Sequence, residues 1–216
     1  MDDPEAFAKA FDVSRETIHR LERYAELLAE WQSWTNLVAK STLPDLWTRH
    51  FADSAQLTLL APNARLWLDL GSGAGFPGLV VAILKAADPG FKMHLVESNQ
   101  RKCRFLDEVA AATDAPVEIH PIRIENFRRS SLSEAPHIIC ARALAPLPKL
   151  LGLAEPLFGE ATRGLFLKGR AAAREIEEAR RAWQFEGKTH PSLTSKESSI
   201  VDVTGLRANR RKAPKR

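Results

Sequence analysis

The chain has 216 residues, 31 Lys and Arg against 27 Asp and Glu for a formal net charge of +4, and two cysteines. That length suits an α/β domain with a short N-terminal addition and a substantial core, and no apolar run approaches the roughly 18 residues that a membrane-spanning helix needs. Cys103 and Cys140 fall in an expected helix and strand without metal-ligand spacing, which excludes a disulfide scaffold or a cysteine metal site. Reduced thiols, a cytoplasmic location and no bound metal are the expectation.

From Ser14, a favourable helix cap, Ile18, Leu21, Ala25, Leu28, Trp31 and Val38 recur at helical spacing. Trp31 and Trp34 are expected to pack along this stripe rather than stack on exposed bases. Pro44 opens a second helix through Leu60, and Pro62-Asn63 links that helix to the first strand. Strands are expected at about 66–70, 91–97, 117–122, 137–141, 164–168 and 199–204, with helices at about 77–87, 99–112, 147–157 and 170–184. Such alternation implies an α/β fold with a parallel sheet and right-handed crossovers. The chain divides into an N-terminal helical extension (1–62), a sheet domain (63–206) and a basic tail (207–216).

The tail, Arg-Ala-Asn-Arg-Arg-Lys-Ala-Pro-Lys-Arg, holds six basic residues, and without it the body has net charge −2. Arg207, Arg210, Arg211 and Lys212 therefore suggest a phosphate-binding arm, a solvated end being the alternative.

Residues 69–78, Asp-Leu-Gly-Ser-Gly-Ala-Gly-Phe-Pro-Gly, join the strand Leu66–Leu70 to an apolar helix, an arrangement that places ligands at the carboxyl end of a strand. Two readings compete. Gly73 to Gly78 fits G-x-G-x-x-G with Glu97 about 20 residues on, as in a dinucleotide-dependent oxidoreductase. Asp69 to Gly75 also fits D-x-G-x-G-x-G, the first motif of the S-adenosylmethionine-dependent methyltransferases. Asp69 favours the second, since a carboxylate there repels a pyrophosphate and suits a cationic amino group.

Four segments resemble motifs of one bacterial family: Asp69 to Gly78, Glu97-Ser-Asn-Gln-Arg-Lys-Cys-Arg-Phe-Leu106, Ile124-Glu125 and Ala141-Arg-Ala-Leu-Ala-Pro-Leu147. Asn36-Leu-Val and Arg49-His-Phe-Ala-Asp-Ser54 extend the likeness to the small-subunit (16S) rRNA guanine-N7 methyltransferase G family, also called glucose-inhibited division protein B, over about residues 20–170. Two departures stand out: His137 where the family often has aspartate, and no arginine at the start of Ser198-Ser-Ile-Val-Asp-Val-Thr204.

The resemblance implies a Rossmann-like class I methyltransferase, its seven-stranded, mostly parallel sheet in the order 3-2-1-4-5-7-6 with one antiparallel strand and helices on both faces, that binds S-adenosylmethionine and methylates N7 of a guanine in 16S rRNA or the assembled small subunit; a monomer is the expected working unit. It places Asp69 and Gly71 against the methionine end of the cofactor, Gly73, Gly75 and Phe76 along the turn, Glu97 on the ribose hydroxyls, and Ile124 and Glu125 at the adenine. Arg142, just beyond the fourth strand, pairs with guanine O6 and a phosphate or with the cofactor carboxylate, a structural salt bridge being the alternative. Lys168 and Arg123 face RNA phosphate. His50 and Asp53, one helical turn apart, are a structural hydrogen-bonded pair or frame the target pocket. A ribosome-assembly factor that binds without catalysing is the non-enzyme alternative.

Overall fold

The computed structural model describes residues 2–209. Five parallel strands form the middle and one side of a seven-stranded sheet: β1 (Leu66–Leu70), β2 (Lys92–Val96), β3 (Val117–His120), β4 (Ile138–Arg142) and β5 (Arg163–Lys168). An antiparallel hairpin of β6 (Trp183–Pro191) and β7 (Ser199–Ala208) completes the order β3-β2-β1-β4-β5-β7-β6. β1 is buried at every position, as expected for a parallel strand covered on both faces.

Alternation along the strands separates two apolar layers. Trp67, Met93, Leu95 and Leu165 face the layer built with α1 (Pro4–Phe11), α2 (Arg15–Gln32), α3 (Asp53–Leu60), α4 (Gly78–Leu84) and α5 (Gln100–Thr113). Leu68, Val96, Ile139 and Phe166 face the other, built with α6 (Leu147–Ala154), α7 (Ala172–Ala179) and the segment carrying Phe127 and Leu132. Leu21, Tyr24, Leu27 and Leu28 of α2 share the first layer with the sheet, so the N-terminal helices are part of its core.

α2 starts where Ser14 Oγ accepts the Thr17 amide hydrogen at 3.1 Å. It stops at Gln32 rather than running to Val38, because the Gln32 side chain accepts from the Leu37 and Val38 amides, both at 3.1 Å, and folds the chain back. Val38 is buried without being helical. Trp31 packs on Phe105 and donates to Glu108 at 3.0 Å, whereas Trp34 is 65% exposed, contrary to the expected packing. The segment opened by Pro44 takes a π-helical turn over Trp47–Ala52 before α3.

α7 ends at Ala179, short of the expected helix to 184, and Trp183 opens β6, which is absent from the strands expected by pattern. Only Phe185 of β6 is buried, so an edge strand of this kind carries little apolar alternation to detect. β7 continues to Ala208, which places Arg207 in the sheet rather than a tail. His137 Nδ1 accepts from the Arg65 and Leu66 amides at 3.1 and 3.2 Å, so it supplies an acceptor to β1 at the position of its family departure.

Candidate cofactor and acceptor site

The glycine-rich loop after β1 is held from three sides. Gly71 and Ser72 donate to the Val96 carbonyl at 2.9 and 3.1 Å, which ties the loop to the end of β2. Gly71 has φ +68°, a left-handed conformation that favours glycine, and a Cβ there would lie 2.6 Å from Leu144 Cδ1 and push that side chain aside. At Gly75, φ +91°, a Cβ would stand 2.6 Å from the Tyr24 hydroxyl. That hydroxyl, fully buried on α2, donates to the Ala74 carbonyl. Sequence pattern does not reveal Tyr24 as a loop support, although its place between Leu21 and Leu28 puts it on the buried stripe.

Glu97 closes β2 and accepts twice: Oε2 from the Gly73 amide at 2.9 Å and Oε1 from the Asn99 amide at 2.7 Å. A carboxylate offers about four lone-pair positions, so each oxygen keeps capacity for a hydroxyl. Asn99 Oδ1 in turn caps α5 by accepting from Arg101 and Lys102. Gly71, Gly73, Glu97, Ile124, Glu125 and Arg142 all border one cavity of about 320 Å³, and Arg123, Lys102 and Lys149 stand on its rim. Ile124 and Glu125 lie on a short 3-10 turn after β3.

Three expected cofactor contacts, Asp69, Gly75 and Phe76, do not border this cavity, and Gly75 faces Tyr24 and Leu79 instead. Asp69 is wholly buried, and Oδ2 accepts the Gly78 amide at the start of α4 at 3.1 Å, so its carboxylate braces loop and helix. Burial pushes its pKa up to about 7, against the smaller lowering effect of the Gly78 hydrogen bond. Phe76 is 5% exposed and stacks on Tyr24 at 5.3 Å, beneath the Arg142 guanidinium 4.9 Å from its ring centre. It supports the site from below.

Arg142 ends β4 with its side chain 17% exposed. Nη1 donates to the Arg49 carbonyl at 2.9 Å and lies 3.4 Å from Asp53, while Nη2 donates to His50 Nδ1 at 2.8 Å. An arginine only donates, so His50 Nδ1 must accept and Nε2–H must donate to Thr42 Oγ1 at 2.8 Å. Burial, with Arg142 and Arg49 nearby, lowers the His50 pKa to about 3 and keeps it neutral. His50 and Asp53 thus meet through Arg142 rather than each other, and much of the guanidinium fork expected for an RNA group is engaged inside the protein.

Lys168 is likewise committed: its ammonium contacts the Ala145 carbonyl at 2.6 Å and Glu175 at 2.9 Å, with the side chain 9% exposed. Glu175 also accepts from the Leu147 amide at 2.7 Å, an anion at the start of α6 where the helix dipole favours it. Lys168 therefore braces the segment 143–147 and at the same time lines a cavity beside that segment. In that segment Ala143 has φ +53°, a conformation costly to a residue with a Cβ and characteristic of functional turns. Arg207 donates to Gln184 at 3.0 Å on the β6–β7 hairpin, and Arg210, Arg211 and Lys212 lie outside the described residues.

A second cavity, about 520 Å³, opens on the other side of residues 142–145, with Asp53, Gln56, Ser198 and Ser199 across from them. Arg142, Ala143, Leu144 and Ala145 border both cavities. Gln56 is fixed from several directions, accepting from Leu193 at 2.9 Å and donating to Asp53 at 2.9 Å.

The family model for GidB, rRNA small subunit methyltransferase G, matches residues 17–203. The chain belongs to this family. It is 53% identical over 205 residues to the ribosomal RNA small subunit methyltransferase G of Parvibaculum lavamentivorans, covering 94% of this chain and 90% of the relative. It is 51% identical over 197 residues to that of Methylorubrum populi, covering 90% and 92%. Among solved structures, the glycopeptide N-methyltransferase MtfA complexed with S-adenosylmethionine has TM-score 0.56 at 9% identity, covering 72% of this chain and 93% of that one. A TehB-like S-adenosylmethionine-dependent methyltransferase from Corynebacterium glutamicum has TM-score 0.53 at 16% identity, covering 83% and 98%. The family and this sheet order make the chain a class I methyltransferase that uses S-adenosylmethionine, and the dinucleotide reading of the loop falls with them.

Proposed function

We propose that this methyltransferase transfers the methyl group of S-adenosylmethionine to N7 of a guanine in 16S rRNA, with the cofactor in the Glu97 cavity and the guanine in the cavity beside Asp53. The observation that carries this reading is the shared wall, residues 142–145, across which the two cavities meet. S-adenosylmethionine supplies a methyl on a sulfonium, which moves to the acceptor by in-line displacement.

Positioning is then the protein's main contribution, since reacting atoms held near 3 Å and aligned avoid much of the entropic cost. Glu97 accepts the ribose hydroxyls with the lone pairs left over from Gly73 and Asn99, and the 3-10 turn at Ile124–Asn126 borders the adenine. Glycine at 71 and 73 lets backbone rather than side chain face the cofactor. Arg142, clamped by Arg49, His50 and Asp53, sets the shape of the dividing wall. Guanine N7 has a lone pair and no proton to lose, so neutral His50 can serve as a fixed acceptor rather than a base.

Arg123, Lys102 and Lys149 on the cavity rim are the cations best placed for RNA phosphate, with the basic residues beyond 209 as a further arm. Free, buried Cys103 and Cys140 support a reducing cytoplasmic setting, and we take the working unit to be a monomer. Among the described residues no helix is long and apolar enough to cross a membrane.

Transfer of labelled methyl to small subunits from a strain lacking the protein, followed by nucleoside analysis, tests the assignment. Label in 7-methylguanosine is the expected result. Another labelled nucleoside overturns the N7 assignment, and subunit binding without transfer favours the assembly-factor reading. Parallel assays on naked 16S rRNA distinguish the RNA from the assembled particle as substrate.

A further inference from the structure

On the opposite side of β2 from the first apolar layer, three side chains with metal-binding atoms converge at the edge of the sheet. His94 on β2 pairs in register with Glu118 on edge strand β3, and His120 lies two residues further along, so all three project from one face. His94 Nδ1 lies 2.9 Å from His120 Nε2, Glu118 Oε1 lies 3.7 Å from His120 Nε2, and Glu118 Oε2 lies 3.9 Å from His94 Nδ1. We propose that His94, Glu118 and His120 form a zinc(II) site that clasps β2 to β3, with water completing the coordination.

The spacing suits the ion. Zinc bonds of about 2.0–2.2 Å in tetrahedral geometry set donor atoms about 3.3–3.6 Å apart, and one donor atom from each of the three residues already lies within 4.8 Å of the others, so side-chain rotation with a slight parting of the two rings suffices. Two imidazoles and a carboxylate are ligands zinc accepts, and an open fourth position is compatible with the half-exposed Glu118 at the sheet edge. Lys92 contacts Glu118 Oε2 at 2.5 Å, which leaves Oε1 as the coordinating oxygen and orients the carboxylate from outside.

His94 Nδ1 and His120 Nε2 share a hydrogen bond at 2.9 Å, so one of the two nitrogens already presents a lone pair at the site. Without metal one ring donates an N–H to the other; with metal that ring carries its proton on the other nitrogen, and no net proton is lost. His120 also packs edge-on against Phe127 at 4.8 Å. Between them runs the segment bearing Arg123, Ile124 and Glu125, so the clasp anchors one end of the cofactor-cavity wall. Spacing along the chain gives no signal for this set, because it forms only when two strands align.

The test is calorimetric titration of zinc into chelator-treated full-length protein, with cobalt absorption reporting tetrahedral geometry. One ion per chain is expected, with affinity weakened tenfold or more in Glu118→Gln and in His120→Gln. Thermal melts at a hundredfold excess over Kd should rise by about 5–10 °C in the wild type and much less in either variant. Both variants change partly exposed side chains, and retained circular dichroism and zinc-free S-adenosylmethionine affinity establish that they fold. No zinc binding by the wild type, or equal binding by wild type and both variants, overturns the site in favour of a hydrogen-bonded histidine pair.

Discussion

Replacing Glu97 with alanine separates cofactor recognition from loop support. In the free protein the carboxylate satisfies the Gly73 and Asn99 amides at 2.9 and 2.7 Å; Gly73 borders the open cavity and Asn99 is exposed, so water reaches both. Water can replace most of that, so the stability loss is expected near the low end for charged hydrogen bonds, about 1–2 kcal/mol. The complex loses two further bonds to ribose hydroxyls, worth about 2–4 kcal/mol together, which weakens S-adenosylmethionine by roughly 30- to 1,000-fold. Glu97→Gln keeps one acceptor oxygen and should fall between, at roughly tenfold. Calorimetric titration with S-adenosylmethionine, paired with urea unfolding of the free proteins, reads both quantities. Unchanged affinity in a destabilised Glu97→Ala protein would refute the reasoning and leave Glu97 as a loop clamp alone.

Tyr24→Phe strands the buried Ala74 carbonyl and should lower unfolding stability by about 1–3 kcal/mol while loosening cofactor binding; identical urea midpoints would remove the hydrogen bond from the account. Asp69 is more easily protonated folded than unfolded, so its contribution to stability should fall as pH rises from about 4 to about 7 and level off above. Subtracting the pH–stability curve of Asp69→Asn isolates that slope from the opposite one contributed by neutral His50, and parallel curves over this window would show the carboxyl to be unperturbed. Arg142→Lys cannot reproduce the fork to Arg49, Asp53 and His50, and should slow methyl transfer on the order of 100-fold while cofactor affinity holds within a few fold; equal loss of binding would move Arg142 to the cofactor carboxylate. Deleting residues 210–216, which carry five basic side chains, should flatten the slope of log RNA affinity against log salt by about 2–4, at up to roughly 0.7–0.9 per phosphate contact. Superimposable salt series for intact and shortened protein would show a merely solvated end.

Local chemistry made much of this protein legible in its sequence. The positive φ of Gly71, Gly73 and Gly75 is a backbone demand that glycine announces by itself, and Leu66–Leu70, buried on both faces, declares itself by an apolar run broken only by Asp69. Glu97 was legible for the same reason: a carboxylate at the end of the next strand has a fixed relation to the loop through the parallel register. Polar side chains whose partners come from distant segments were not. Asp69 matches the cofactor motif, yet whether its carboxylate faces a ligand or the amide of Gly78 depends on which way β1 presents it. Lys168 has an internal anion, Glu175, within 2.9 Å only because a later helix brings that carboxylate to it. His50, Asp53 and Arg142 are spread over 92 residues and meet only because α3 packs beside the end of β4, and His94, Glu118 and His120 meet only through the pairing of β2 with β3. Sequence fixes which backbone shapes and apolar faces a segment prefers, because those are energies of neighbours along the chain. The orientation and charge state of a polar group depend on what desolvates it and which donor reaches it, and only the tertiary packing determines both.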